Sequence, residues 1–226
     1  MPSVLITGSN RGLGLEFARQ YAADGWRVFA ACRDPERARE LQALAGERVS
    51  LHALEVTDFV AVERLAGELS GEALDVVLNN AGVFGDAAPF GEVDYDVFRR
   101  TLEVNTLAPL RLAECFVGHL ERGQQKKLVN ITSRMGSIED NTSGGRYAYR
   151  ASKAALNMVN RCLAVDLAGR LTAVVLHPGW VATDMGGPSA PLRPEGSVRQ
   201  MRAVIAGLSA KDSGGFFNYD GASLPW

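Results

Sequence analysis

A tyrosine and a lysine lie four residues apart in the segment YRASK, as Tyr149 and Lys153. On a helix this spacing places two side chains one above the other on the same face. A free phenol titrates near ~10, and an ammonium group within a few ångströms lowers that pKa by roughly 1–3 units. The pair therefore indicates a phenol that gives and takes a proton near neutral pH, which is general acid–base catalysis.

A glycine-rich turn, TGSNRGLG at residues 7–14, lies between an apolar run at 4–7 and a helical pattern. Glycines here allow a pyrophosphate to approach the backbone, and the helix N-terminus offers it free N–H groups. The Gly-x-x-x-Gly-x-Gly spacing differs from the commoner Gly-x-Gly-x-x-Gly and lacks the lysine of a triphosphate P-loop. The candidate cofactor-binding residues of this turn are Gly8, Ser9, Asn10, Arg11, Gly12, Leu13 and Gly14. The alternative is a turn that only connects the strand to the helix.

The second predicted strand, 26–31, is followed by Cys32, Arg33 and Asp34. An acidic residue at this place binds the adenosine ribose of NAD, whereas arginine pairs with the 2′-phosphate of NADP. Because Arg33 and the turn residue Arg11 are expected to converge on that phosphate, the sequence favours NADP(H). NAD(H), held by Asp34, is the alternative.

Short apolar runs alternate with helical patterns, which predicts a parallel sheet covered by helices on both faces. The predicted strands cover residues 4–7, 26–31, 49–54, 74–78, 127–131 and 172–176. The predicted helices follow the glycine turn and cover 35–45, 58–70, two helices within 95–122 that meet near Asn105–Pro109, and 147–168. The fold class is therefore α/β, a single Rossmann-type doubly wound domain over residues 1–226 with about seven strands. A segment rich in proline and glycine, 184–200, is predicted to be a loop that covers the substrate.

The bulk composition excludes several classes of protein. A net charge of −2 and a pI near 6.0 argue against binding to nucleic acid or to an anionic membrane. Three cysteines without short-range spacing fit a reducing cytoplasm, and three scattered histidines make a structural metal site improbable. The first ten residues match neither a signal peptide nor a membrane span.

With these residues assembled, the chain resembles the short-chain dehydrogenase/reductase family over its whole length. Four motifs carry the resemblance in order: TGSNRGLG, LNNAG at 78–82, a serine followed by YRASK, and HPGWVATDM at 177–185. The chain looks closest to the sniffer-type carbonyl reductases and bacterial C-factor proteins, through TSRMGS, YAYRASKAALN and the ending FFNYDGASLPW.

The resemblance implies four catalytic roles. Ser133 would hydrogen-bond the substrate oxygen, and Tyr149 would give it a proton during reduction. Lys153 would hold the nicotinamide ribose and acidify Tyr149, and Asn105 would hold a water that links Lys153 to solvent. Two alternatives to these roles remain open. Ser133 could be a structural residue at the end of a strand, with Thr132 able to replace it, and Asn105 could serve only at a helix bend or as a helix cap.

The same matching implies further cofactor contacts. Residues after the fourth and sixth strands would lie beside the adenosine and the nicotinamide, respectively: Asn80, Ala81 and Gly82, then Pro178, Gly179, Val181 and Thr183. The family commonly has aspartate where this chain has Glu55, so the adenine contact there falls to the backbone of Val56. His177 is either a packed strand-end residue or a proton shuttle.

The predicted function is NADP(H)-dependent reduction of an aldehyde or ketone with hydrophobic bulk, bounded by Phe84, Met135, Gly136 and Trp180. Two alternatives remain: a C-factor-like intercellular signalling protein on the same scaffold, and an NAD-linked alcohol dehydrogenase. The resemblance also implies a homodimer or homotetramer. Its face would lie on helices 105–122 and 147–168 if Leu112, Phe116, Leu156 and Val159 are exposed rather than packed on the sheet.

Overall fold

Seven short apolar segments form one parallel sheet in the computed structural model, which describes residues 1–226. The strands lie in the order β3-β2-β1-β4-β5-β6-β7, and every neighbouring pair is parallel. They are β1 (Ser3–Thr7), β2 (Arg27–Cys32), β3 (Val49–Ala53), β4 (Val76–Asn79), β5 (Lys127–Ile131), β6 (Thr172–His177) and β7 (Phe216–Asn218). The expected doubly wound sheet of about seven strands is confirmed, although the sequence analysis had not located β7.

Helices cover both faces of this sheet. They are α1 (Gly12–Ala23), α2 (Arg39–Gln42), α3 (Phe59–Glu68), α4 (Tyr95–Leu102), α5 (Ala108–Arg122), α6 (Tyr147–Asp166) and α7 (Pro194–Gly207). One buried cluster packs α3, α5 and α6 on the sheet, and a second packs α1, α2 and α7 on the other face. Both faces of the sheet are covered by helices and shielded from water, which explains why the strand sequences are continuous apolar runs.

Three predicted segments, 35–45, 95–122 and 184–200, differ from the structure. The expected helix 35–45 is a 3₁₀ turn, Pro35–Arg37, followed by the four-residue α2. The expected pair of helices within 95–122 is one continuous helical run, in which a π-helical segment, Glu103–Leu107, joins α4 to α5. Pro109 lies in the first turn of α5, directly after the π-helical segment, and because it has no N–H it donates no hydrogen bond to the helical turn before it.

The predicted loop 184–200 is wrong over its last seven residues, because α7 begins at Pro194. Val198, Met201 and Ile205 follow helical spacing and are buried against the sheet. The segment was predicted to be a loop because of its proline and glycine content, although its apolar residues have helical spacing. The irregular part is residues 184–193.

The pairing face expected on α5 and α6 is also corrected. Leu112, Phe116 and Leu156 are buried in the core and do not face solvent. The packing alternative is therefore the right one for these three residues. The large apolar side chains that do face outward there are Leu107, Met158 and Val165.

The strand order reverses between β1 and β4, whose carboxyl ends open side by side. In doubly wound sheets a ligand binds at this switch point. The two following loops are joined, since the Asn80 side chain donates to the carbonyls of Thr7 (2.9 Å) and Gly8 (3.1 Å). All the candidate site residues after β1, β2, β4, β5 and β6 consequently lie along one edge of the sheet.

Candidate active site

The glycine turn packs against the loop after β4 more closely than any side chain would allow. A Cβ on Gly14 would lie 2.2 Å from the Gly8 carbonyl oxygen, and a Cβ on Gly8 would lie 2.9 Å from the Ala81 Cα. Glycine is therefore required at positions 8 and 14 partly because any side chain there would collide with the protein itself. The buried Ser9 side chain likewise donates to the Ala31 carbonyl and so anchors the turn to β2.

The N-terminus of α1 carries no side-chain cap. By contrast, Asp58 caps α3 and Asp94 caps α4 through their carboxylates. An uncapped helix start leaves backbone N–H groups and a positive dipole end available to an anion. This geometry fits the pyrophosphate of a dinucleotide, and Gly12, Leu13 and Gly14 are the residues that would hold it.

A polar cavity of about 170 Å³ lies beside this turn and is lined by Asn10, Arg33, Asp34, Arg37 and Ala38. Arg33 has no carboxylate partner, so its guanidinium is available for an anion. Two arginines therefore meet at the place where the 2′-phosphate of NADP would lie. Arg37 was missed by the sequence analysis because its segment had been assigned to a regular helix.

Arg11 does not join this cavity, in contrast to our expectation. Its guanidinium is ion-paired with Asp184, across the site from the glycine turn. The second arginine beside Arg33 is Arg37 instead. The sequence could not show this because the partner carboxylate lies 173 residues away along the chain.

The acidic candidates are engaged within the protein. The Asp34 carboxylate accepts from the backbone N–H of Arg37 (3.2 Å) and lies 3.3 Å from its guanidinium. Glu55 accepts from the Thr57 hydroxyl and pairs with Arg100 at 3.3 Å, while Val56 is buried in the core. Asp34 is thus poorly disposed to bind the ribose of NAD.

The three central candidates, Ser133, Tyr149 and Lys153, come together at the carboxyl end of β5. Ser133 follows the strand and caps the 3₁₀ turn Arg134–Gly136, so its hydroxyl accepts from the Met135 N–H at 3.1 Å. Tyr149 and Lys153 lie one turn apart on α6, with the lysine Nζ 5.9 Å from the centre of the phenol ring. All three side chains are buried.

The pKa of Tyr149 does not follow our expectation. Burial raises the pKa of the phenol above its ordinary value, and the neighbouring Ser133 hydroxyl acts in the opposite direction. Burial also lowers the pKa of Lys153 to about 8, and its Nζ donates to the Ile131 carbonyl at 2.8 Å. Desolvation is the largest cause of both shifts, because the same buried setting disfavours both charged forms.

Asn105 lies in the π-helical segment and is buried. Its amide group pairs with the backbone of Val83, accepting from the N–H at 2.9 Å and donating to the carbonyl at 2.8 Å. It also donates to Ser152 at 3.0 Å. A Cβ on Gly82 would lie 3.3 Å from the Asn105 Oδ1 and 3.8 Å from the Lys153 Nζ, so these three residues are neighbours.

We predict that Lys153 makes the free energy of unfolding increase with pH in the alkaline range. Its pKa is about 8 in the folded state against an ordinary value of 10.5, so the unfolded chain binds more protons between these two values. The free energy of unfolding should therefore rise across pH 8–10.5, by up to about 3 kcal/mol, and stay flat from this source below pH 8. In urea unfolding, the free energy of the wild type should rise across this range relative to that of Lys153→Met, a difference that cancels the contribution of the buried Lys127, whose pKa is also lowered.

The matched control for this prediction is Lys211→Met, which removes an exposed lysine. It should retain the wild-type rise across pH 8–10.5. A Lys153→Met variant whose unfolding free energy tracks the wild type throughout would show that this ammonium group is hydrated in the folded protein.

His177 ends β6, and its Nδ1 is buried without a hydrogen-bond partner. Burial, together with the charge of Arg134, lowers the pKa of this imidazole to about 4. A group that stays neutral at pH 7 without a partner is a packed residue rather than a proton shuttle. The packing interpretation of His177 is thus the one that the geometry favours.

The segment after β6 folds back over the glycine turn. The Thr183 methyl group would touch a Cβ on Gly12 at 3.4 Å, and Thr183 Oγ1 accepts from the Gly186 N–H at 3.2 Å. Gly179 has φ +81, and a Cβ there would lie 2.4 Å from Leu192. Val181 is buried, and the Pro178 carbonyl accepts from Ser197 at the start of α7.

Aromatic and basic side chains form the mouth of the site. The Phe84 ring packs on Tyr149 with 4.6 Å between ring centres, and the Arg146 guanidinium lies 4.7 Å from the centre of the Phe84 ring. Arg146 has φ +50, a left-handed conformation that costs a non-glycine residue roughly 1 kcal/mol or more. Met135 and Gly136 instead line a separate cavity of about 190 Å³ against Arg150, Ala151 and Ala154.

The chain belongs to the short-chain dehydrogenase family, whose sequence model matches residues 2–192. The C-signal protein of Myxococcus xanthus is 49% identical over 154 residues, which are 68% of this chain and 93% of that protein. The carbonyl reductase Sniffer of D. melanogaster superposes with a TM-score of 0.96 at 38% identity, over 100% of both chains. The NADPH-bound carbonyl reductase from chicken fatty liver gives a TM-score of 0.93 at 38% identity, over 100% of this chain and 99% of that one. The predicted family is confirmed, as is the predicted resemblance to sniffer-type carbonyl reductases and C-factor proteins.

No helix of the structure combines the length and the apolar character that crossing a bilayer would require.

Proposed function

We propose that this protein reduces an aldehyde or ketone to an alcohol with NADPH. The observation that carries the proposal is the buried group of Ser133, Tyr149 and Lys153, set on the same sheet edge as the uncapped N-terminus of α1. A phenol beside a hydroxyl donor suits a reaction in which negative charge develops on a substrate oxygen. Preorganised donors at such an oxygen contribute roughly 3–4 kcal/mol each to lowering the barrier.

The dinucleotide, when bound, supplies the hydride. The chain itself supplies position and protons. Ser133 and Tyr149 would both donate hydrogen bonds to the substrate oxygen, and Tyr149 would then release its proton to that oxygen. Lys153, whose pKa is about 8, can return a proton to the phenolate at neutral pH. Asn105 and Gly82 lie against Lys153 and would guide its exchange with solvent.

The preference for NADP(H) over NAD(H) is supported by the cavity that holds Arg33 and Arg37. A phosphate dianion there would receive charge-assisted hydrogen bonds from two guanidinium groups. The carboxylate of Asp34, the residue that would favour NAD, accepts a hydrogen bond from the Arg37 backbone and is ion-paired with the Arg37 guanidinium. The chicken carbonyl reductase, which is 38% identical, has NADPH bound, and this supports the cofactor that we propose here.

The substrate would lie beside Tyr149 and Phe84 and beneath residues 184–193. An apolar body suits the exposed ring of Trp180, whose indole N–H is already bonded to the Gly186 carbonyl. The segment 184–193 is joined to the glycine turn by the pair of Asp184 and Arg11. This pair supports the proposal that the segment covers both cofactor and substrate.

The test is NADPH oxidation, followed by absorbance, with a panel of aromatic aldehydes, ketones and quinones. NADPH consumption that depends on the carbonyl compound, and that falls strongly when NADH replaces NADPH, is the expected result. A panel that yields no consumption with either coenzyme would overturn the proposal.

A second candidate function is intercellular signalling, favoured by the 49% identity to the Myxococcus xanthus C-signal. The two candidates differ in whether turnover matters. In cells that lack the gene, a Tyr149→Phe copy should fail to restore the wild-type phenotype if reduction is the function. Full restoration by this variant would favour signalling on a dinucleotide-binding scaffold.

We further infer a cytoplasmic protein that forms a homodimer or homotetramer. The exposed Cys162 and half-buried Cys115 are unpaired, which fits a reducing compartment. The outward-facing Leu107, Met158 and Val165 offer apolar area on adjoining helices. Sedimentation of the purified protein measures the number of subunits.

A further inference from the structure

Arg146 is a strained arginine at the mouth of the candidate active site. It precedes α6 with φ +50, directly after two glycines that also have positive φ, Gly144 and Gly145. Glycine would adopt this conformation without strain, and asparagine with less. The third position of this left-handed run nevertheless carries a long cationic side chain, three residues before Tyr149.

The Arg146 guanidinium has no polar partner in the protein. It takes part in none of the thirteen ion pairs, and none of its side-chain N–H groups donates a hydrogen bond. Its neighbours differ. Arg134 is paired with Asp140 at 3.0 Å, and Arg150 donates to Ser143 and to backbone carbonyls.

Two other arginines lie over aromatic rings, and both also have a carboxylate partner. Arg27 lies over Phe29 and is paired with Glu72, and Arg202 lies over Tyr21 and is paired with Asp24. In both, the cation lies over the ring while a carboxylate accepts a hydrogen bond from the guanidinium. Arg146 has the ring of Phe84 and lacks the carboxylate.

We propose that the substrate supplies this carboxylate, so that the enzyme reduces carbonyl compounds that carry a carboxylate at their far end. Phe84 contacts both the Arg146 guanidinium and the Tyr149 ring, so one aromatic ring separates the anion site from the catalytic phenol. A planar guanidinium fixed over a ring keeps its in-plane N–H groups free to bind a carboxylate through two hydrogen bonds. The apolar body of the substrate would lie between its carboxylate, bound at Arg146, and its carbonyl group, bound at Tyr149.

The inference rests on the proposed carbonyl reduction and is tested with two matched substrates. In 4-formylbenzoate one aromatic ring separates the aldehyde from a carboxylate, and its methyl ester has the same ring and aldehyde without the charge. The wild type should favour the acid over the ester in kcat/KM by about 10-fold or more, and this ratio should fall with rising salt. Arg146→Gln should abolish the preference, mainly through KM for the acid, and Arg146→Lys should retain part of it.

Arg199→Gln, which removes an exposed arginine on α7 at the other face of the sheet, serves as the control and should keep the wild-type ratio. Arg146→Gly relieves the strained conformation, so a folded variant without the guanidinium is available if Arg146→Gln is unstable. Reduction of the ester without any preference for the acid, or a preference that survives in both Arg146→Gln and Arg146→Gly, would overturn this inference alone. An absence of NADPH oxidation with both compounds, when other carbonyl compounds are reduced, would also overturn this inference alone, whereas an absence with every carbonyl compound would overturn the proposed function as well.

Discussion

Replacing Tyr149 by phenylalanine is expected to lower kcat for carbonyl reduction by about 1,000-fold. The variant retains the ring that packs on Phe84 and loses only the hydroxyl beside Ser133. Proton transfer by a positioned side chain contributes roughly 10²–10⁴-fold to rate, and the phenol also stabilises charge on the substrate oxygen. Steady-state turnover with saturating NADPH measures the loss.

Tyr147 provides a matched control for this change. It lies on the same helix, two residues earlier, and is partly exposed. Tyr147→Phe should retain kcat within about threefold, because surface substitutions of this kind perturb the structure little. NADPH affinity should be similar in both variants. Equal activity of Tyr149→Phe and wild type would remove Tyr149 from the mechanism.

Replacing Arg33 by alanine is expected to lower kcat/KM for NADPH by about 100-fold while leaving that for NADH within about threefold. Hydrogen bonds to charged groups contribute roughly 1.5–3 kcal/mol each, and Arg33 is the arginine of the cavity that no carboxylate neutralises. NADH has no 2′-phosphate and so gains nothing from this guanidinium. The ratio of kcat/KM for the two coenzymes is the measurement.

Arg37→Ala should give a smaller loss, because this guanidinium is shared with Asp34. Arg39→Ala is the matched control, since Arg39 is exposed on α2, outside the cavity, and forms no ion pair. It should leave the coenzyme ratio unchanged. If Arg33→Ala lowers NADPH and NADH kinetics equally, Arg33 supports the fold of the turn rather than selecting the coenzyme.

The sheet and the catalytic group were the parts of this molecule that local sequence could predict. Strand β5 was located at its true bounds, since a short apolar run between turn residues has one simple interpretation. The tyrosine and the lysine followed from residue type and spacing, and the serine followed from the family resemblance. The four-residue spacing of Tyr149 and Lys153 gave their common helix face directly.

The remaining features depend on contacts between distant parts of the chain. Arg11 pairs with Asp184, and Arg146 reaches the ring of Phe84, neither of which has a local signal. The pKa of Tyr149 was expected to fall, and burial raises it instead, because desolvation depends on the whole packed site. Helix α7 was hidden by prolines and glycines, although its apolar spacing was present in the sequence.

The most direct test of the central claim is the transfer of deuterium from NADPH labelled at both C4 positions of the nicotinamide. The claim predicts one deuterium on the former carbonyl carbon of the alcohol product, detected by mass spectrometry, for the wild type. It predicts almost none for Tyr149→Phe over the same time. Wild-type enzyme that consumes labelled NADPH and leaves the alcohol free of deuterium would contradict it.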